Sequence, residues 1–140
     1  MSITQNRLLV FAGIAGLLGV ALGAFGAHAL RESLAQRQAT ALWETAVLYH
    51  LIHAVGLLAL AGWATQAPGD AAQRPARLPA ALSAAAVCWI GGSVLFSGSL
   101  YGLALGAPRA FGWITPLGGL SLLAGWGLIA IHGWRSSRRS

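Results

Sequence analysis

Apolar positions along the chain gather into four long runs, and charge marks the places where they break. Charged residues fall at Arg7; at Arg31, Glu32, Arg37 and Glu44; at Asp70, Arg74 and Arg77; at Arg109; and at Arg135, Arg138 and Arg139. The charge-free windows between them, 8–30, 45–69, 78–108 and 110–134, are each at least 23 residues long. A helix rising about 1.5 Å per residue needs ~20 residues to cross the hydrocarbon core, and there each segment must satisfy its own backbone. The pattern therefore predicts an all-α integral membrane protein, a single membrane domain over 1–140. Its four transmembrane helices fall at about 8–30, 46–64, 81–105 and 111–134.

The connections are short. Residues 31–44 are expected to form an interfacial helix of modest amphipathicity, since Arg31 and Gln38 fall on its apolar side. Pro68, Gly69, Pro75 and Pro79 make 66–79 a loop, 106–109 a tight turn and 135–140 a basic tail. Tryptophan supports the spans: Trp43 and Trp63 bracket the second and Trp113 and Trp134 the fourth, as interfacial belts do. Trp89 and Trp126 fall inside spans, where packing or lipid contact is expected. The first apolar window is longer than the roughly 7–15 residues of a signal-peptide core, so it is expected to be retained as a helix.

Composition sharpens the class. The chain is 56% hydrophobic and 9% charged, with a mean hydropathy of +0.67. A soluble domain carries roughly a quarter charged residues, so a soluble fold is excluded. Nine Arg against three acidic residues give a formal charge of +6, but no basic patch faces a polar surface, and nucleic acid is not an expected partner. The expected partners are the bilayer, a second copy of the chain or a larger membrane complex. Six Arg flank the side holding both termini and three flank the other, which places both termini in the cytoplasm. The single Cys88 excludes an internal disulfide framework and a multi-thiolate metal site.

Small residues suggest how the helices pack. Gly13, Gly16, Gly19, Gly23 and Gly26 lie within roughly 140° of arc on the first helix, a smooth stripe for close contact. Gly98, Gly102 and Gly106 repeat the device on the third, and the two glycine faces are expected to meet. Any chemistry must come from the polar residues inside the spans: His28, Tyr49, His50, His53, Ser97, Ser99, Tyr101 and Thr115, all in the outer half. His53 lies close to mid-membrane, and intramembrane ionisable groups are by default functional candidates. The cluster has two uses. It can hydrogen-bond helices together, or it can bind a metal, a small ligand or a lipid headgroup. In either case His28 and His53 are expected to face each other across the first two helices, with a cavity between them if they bind and no room for a ligand if they only join helices; a small or absent cavity is favoured. There is no carboxylate pair, no nucleophile–base motif and no metal-ligand signature, so neither an enzyme nor a cofactor is expected.

Four collinear motifs then carry a resemblance. Leu22-Gly23-Ala24-Phe25-Gly26-Ala27-His28, Tyr49-His50-x-x-His53, Leu95-Phe96-Ser97-Gly98-Ser99-Leu100-Tyr101 and Thr115-Pro116-Leu117-Gly118-Gly119, followed by Gly125-Trp126, resemble the domain-of-unknown-function family numbered 423. This is the YgdD-like family of small bacterial inner-membrane proteins, similar to a mitochondrial transmembrane protein of animals. The resemblance covers nearly the whole chain and implies a four-helix inner-membrane protein without an assigned activity. Members often carry Gln after the Tyr, where this chain has His50. That departure leaves His28 and His53 as the better ligand candidates.

Overall fold

The computed structural model describes residues 3–64 and 77–138. Among these residues five α-helices run in chain order: α1 (Gln5–Ala27), α2 (Arg31–Gln36), α3 (Thr40–Ala64), α4 (Ala80–Ala104) and α5 (Ile114–Ser137). A 3-10 turn, Arg109–Trp113, leads into α5. The helices α1, α3, α4 and α5 are long and apolar enough to cross a membrane, α5 together with the turn before it. Most of the loop expected at 66–79 lies outside the described residues, as does the end of the basic tail.

The first connection differs from expectation. It is not one interfacial helix over 31–44, because α2 ends at Gln36 and the next span already begins at Thr40. Gln38 adopts φ +54, its N–H bonds to the Ala35 carbonyl, and the Ala39 N–H reaches back to Leu34. This pair of bonds is a Schellman stop, with Gln38 in the left-handed position that glycine usually fills. Leu34 and Ala39 then pack in one apolar cluster with Trp43, which fixes the turn. The end of α4 uses the same device. Gly106, at φ +97, bonds to Leu103, and the Ala107 N–H bonds to Gly102. The Arg37 side chain lies where a Cβ on Gly106 would stand, which sets its positive charge against the negative end of α4.

Neighbouring helices in the bundle follow chain order. α1 packs on α3, α3 on α4, and α4 on α5. The glycine stripe of α1 therefore does not meet α4, as its pattern suggested. Gly19 receives Leu51 of α3, Gly23 lies against Val47, and Gly26 is filled by the Trp43 indole. Gly13 and Gly16 touch nothing. On α4, Gly98 faces open space and Gly102 meets Phe111 and Ala107 of the following turn. The reason is steric: a glycine groove accepts large side chains as readily as a second glycine row, and a short connection delivers α3 first.

The tightest crossing is between α4 and α5. A Cβ on Gly118 would strike the backbone of Phe96, and one on Gly92 would fall 2.6 Å from Leu122. The Ser121 hydroxyl donates across this crossing to the Cys88 carbonyl at 2.9 Å. At the opposite end of the spans the segment before α1 hooks onto the start of α4. Thr4 bridges Arg77, and the Ile3 N–H donates to Ser83 at 3.3 Å.

Candidate functional site

The centre of the bundle is built around Trp89 of α4, which is 2% exposed. Two glycines make room for its ring. Cβ atoms on Gly56 of α3 and Gly125 of α5 would come within 2.6 and 2.5 Å of it. Trp126 lies against it with ring centroids 4.6 Å apart, and His53 meets it edge-on at 5.6 Å.

His53 is 3% exposed, thirteen residues into a 25-residue span, and both of its ring nitrogens are engaged. Nδ1 lies 2.7 Å from the Tyr49 carbonyl, one turn earlier on the same helix. Nε2 accepts the indole N–H of Trp126 at 3.2 Å, from α5. A carbonyl only accepts and an indole N–H only donates, so the proton must sit on Nδ1 and the ring is the neutral tautomer. The lone pair that a metal would need is already in use.

The other sequence candidates separate into two places. Towards the α4 C-terminus, His50 Nδ1 lies 3.4 Å from the Tyr101 hydroxyl, and Trp43 packs on the Tyr101 ring at 4.7 Å. The Trp43 indole N–H donates to the Leu22 carbonyl of α1 at 3.0 Å. Trp43 is thus an inward anchor rather than part of an interfacial belt. Ser99 and Thr115 join α4 to α5 through a 2.7 Å hydroxyl pair. Tyr49 is partly exposed and leans on Phe96 at 4.7 Å.

His28 joins neither group. It is exposed at the end of α1, where its backbone N–H bonds to Ala24, and the expected convergence with His53 does not occur. His53 lies between three and four turns into α3, turned towards Trp89 and Trp126 instead.

A cleft of about 410 Å³ opens between α1 and α4, with α3 as its floor. His50, Ser97, Gly98 and Tyr101 line it beside Phe11 and Leu18. The Ser97 hydroxyl is buried and has no hydrogen-bond partner among the described residues. Among the described residues no three His, Cys, Asp or Glu side chains come together in a way that would hold a metal.

Sequence reasoning missed Gly56, Gly92, Gly118, Gly125 and the central role of Trp89. The seven-residue spacing of Gly118 and Gly125 was the available signal, since it puts both on one face of α5.

Residues 22–119 match the family described as "Protein of unknown function (DUF423)". The chain belongs to the DUF423 family. It is similar to the UPF0382 inner membrane protein YgdD of Escherichia coli K12, 38% identical over 97% of this chain and 95% of that one. The UPF0382 membrane protein YwdK of Bacillus subtilis is 36% identical over 88% of this chain and 92% of its own length. A UPF0382 membrane protein of Haemophilus influenzae is 36% identical over 94% and 97%. No solved structure matches. The DUF423 match takes in the end of α1, all of α3 and α4 and the start of α5, and so includes His53, Trp89 and Gly118. No activity accompanies the family.

Proposed function

We propose that this DUF423 protein is a non-enzymatic accessory protein of the bacterial inner membrane. Its termini lie in the cytoplasm, and it acts by packing against lipid and against spans of a second copy or of a larger membrane complex. The observation that carries this reading is His53. Among the described residues it is the most buried histidine, yet its two nitrogens are spent on Tyr49 and Trp126, joining α3 to α5 rather than facing a substrate. The six-to-three distribution of Arg supports the orientation, and the name of the E. coli relative supports the compartment.

Two measurements test it. A reporter fused after residue 140 is expected to read cytoplasmic and one within 31–44 periplasmic, and the reverse would overturn the orientation. Proteoliposomes holding the purified chain are expected to pass protons no faster than empty ones. A flux that His53→Gln abolishes would replace the accessory role with a proton path.

One observation favours a second reading. The unpaired Ser97 hydroxyl, with His50 and Tyr101, gives the α1–α4 cleft hydrogen-bonding groups in an otherwise apolar wall. At about 410 Å³ the cleft is within the range of small-molecule sites, and it carries no charge, so it suits a neutral lipophile. Retention of a short-chain quinone by the wild type and its loss in Tyr101→Phe would establish that role. Equal retention by both would remove it.

A further inference from the structure

A different groove, lined by neither His53 nor any residue of the Ser97 cleft, lies where lipid headgroups meet hydrocarbon. It follows the contact of α1 with α3 on their lipid side and encloses about 420 Å³. Gly23, Gly26 and Ala27 line its α1 side, with Val47 packed on Gly23 and the Trp43 indole on Gly26. The wall from α3 is one helical face with graded chemistry. Thr40 and Glu44, four residues apart, stand at the mouth, and Val47, Leu48 and Leu51 continue the same stripe into the apolar region. Across the mouth stands Arg31, the first residue of α2.

The charges at this mouth are unusual for the molecule. Arg31 and Glu44 line one groove with opposite signs, both exposed, yet neither side chain makes an ion pair or hydrogen bond with any described residue. Arg37, the other cation of this connection, is already placed over Gly106 at the end of α4. A separated cation and anion at the edge of hydrocarbon fit a ligand that carries both charges itself.

We propose that this groove seats one phospholipid with a zwitterionic, primary-ammonium headgroup, of the phosphatidylethanolamine class. The phosphate takes the Arg31 guanidinium, whose planar donors suit phosphate oxygens, and lies beside Thr40 at the positive end of α3. The ammonium donates to the Glu44 carboxylate. One acyl chain follows Gly23, Val47 and Leu51. A net-anionic phospholipid brings no cation for Glu44 and is repelled by it. A choline headgroup has no N–H to donate, and the Trp43 ring that would otherwise favour a quaternary ammonium is turned inward and bonded to Leu22.

The test uses the full chain in nanodiscs containing equal amounts of ethanolamine, glycerol and choline phospholipids with identical acyl chains. Lipid retained on the protein after gentle release is identified by native mass spectrometry. The ethanolamine lipid is expected to be retained about tenfold over each of the others, the scale of one charge-assisted hydrogen bond. Glu44→Gln should bring ethanolamine and choline lipids to parity, and Arg31→Ala should abolish retention of all three. Arg109→Ala, a cation elsewhere on the same side, should change nothing. If Glu44→Gln fails to fold, Glu44→Ala is expected to give the same parity of ethanolamine and choline lipids in its place. Equal retention of the three lipids by the wild type, preference for the glycerol lipid, or unchanged selectivity in Glu44→Gln and Arg31→Ala would each overturn the proposal.

Discussion

At the scale of single residues, the bundle depends on pairs in which one side chain is large because its neighbour is absent. Trp89 occupies the space left by Gly56 and Gly125, Leu122 that left by Gly92, and Trp43 that left by Gly26. In lipid, where no hydrophobic drive holds helices together, such van der Waals contact is a main source of cohesion. Gly118→Ala must displace the Phe96 backbone and Gly125→Ala the Trp89 ring, so each is expected to lower stability in detergent by about 1–3 kcal/mol. Gly16→Ala meets nothing and should leave the melting temperature unchanged or raise it slightly. The bond between His53 and Trp126 is a second case. A double-mutant cycle with His53→Phe and Trp126→Phe should return a coupling of about 0.6–2 kcal/mol, because each single change strands the other's polar atom inside the bundle. Additive effects would show that the two rings only touch. Of this site, the sequence made visible the four-residue spacing of Tyr49 and His53 that underlies their hydrogen bond. Trp126 was not visible as a partner, since it arrives from another span 73 residues away and nothing in local periodicity points to it.

At the scale of elements, span existence and span boundaries obey different physics. The four spans were legible because hydrocarbon thickness imposes a length and charge marks its edges. The break between α2 and α3 was not, because the residue that turns the chain is Gln38, which carries none of the glycine or asparagine signal of a left-handed stop. Gln38→Gly removes that steric cost and is expected to raise stability by about 0.5–1 kcal/mol, read as a higher melting temperature, with no change in helix content. A loss of stability would mean that the Gln38 side chain itself holds the turn. The partner of α1 was illegible for a related reason. Five glycines specify that something will come close and do not specify which helix. The choice falls to the short α2 connection, which brings Val47 and Leu51 of α3 to Gly23 and Gly19 before α4 exists in the membrane.

At the scale of the whole molecule, the three tight contacts follow chain order and leave α1 held chiefly by one neighbour. Between α1 and α4 runs a gap with two cavities of about 760 and 410 Å³, both touching Phe11 and Ile90. Two things bridge it, both at the end where α1 and α4 begin: the Ile3 and Thr4 hook onto Arg77 and Ser83, and the shared cluster of Leu8 and Ala12 with Leu82 and Ala86. α4, by contrast, is gripped by α3 and α5 and carries the buried Trp89. Opening free energy follows local packing, so α1 should separate from the bundle before α4 does. Hydrogen exchange of the detergent-solubilised chain during gradual warming is expected to show 5–27 losing protection ahead of 80–104. Gly98→Leu gives the test its direction, because Gly98 lines the cleft, a Cβ there meets nothing within 4 Å, and the rest of the side chain has the cleft to fill. It should raise the protection of 5–27 towards that of 80–104. If both segments instead exchange in one step, with Gly98→Leu having no effect, α1 would be as firmly held as the rest, and lipid or detergent in the gap would be supplying the contacts that α4 does not.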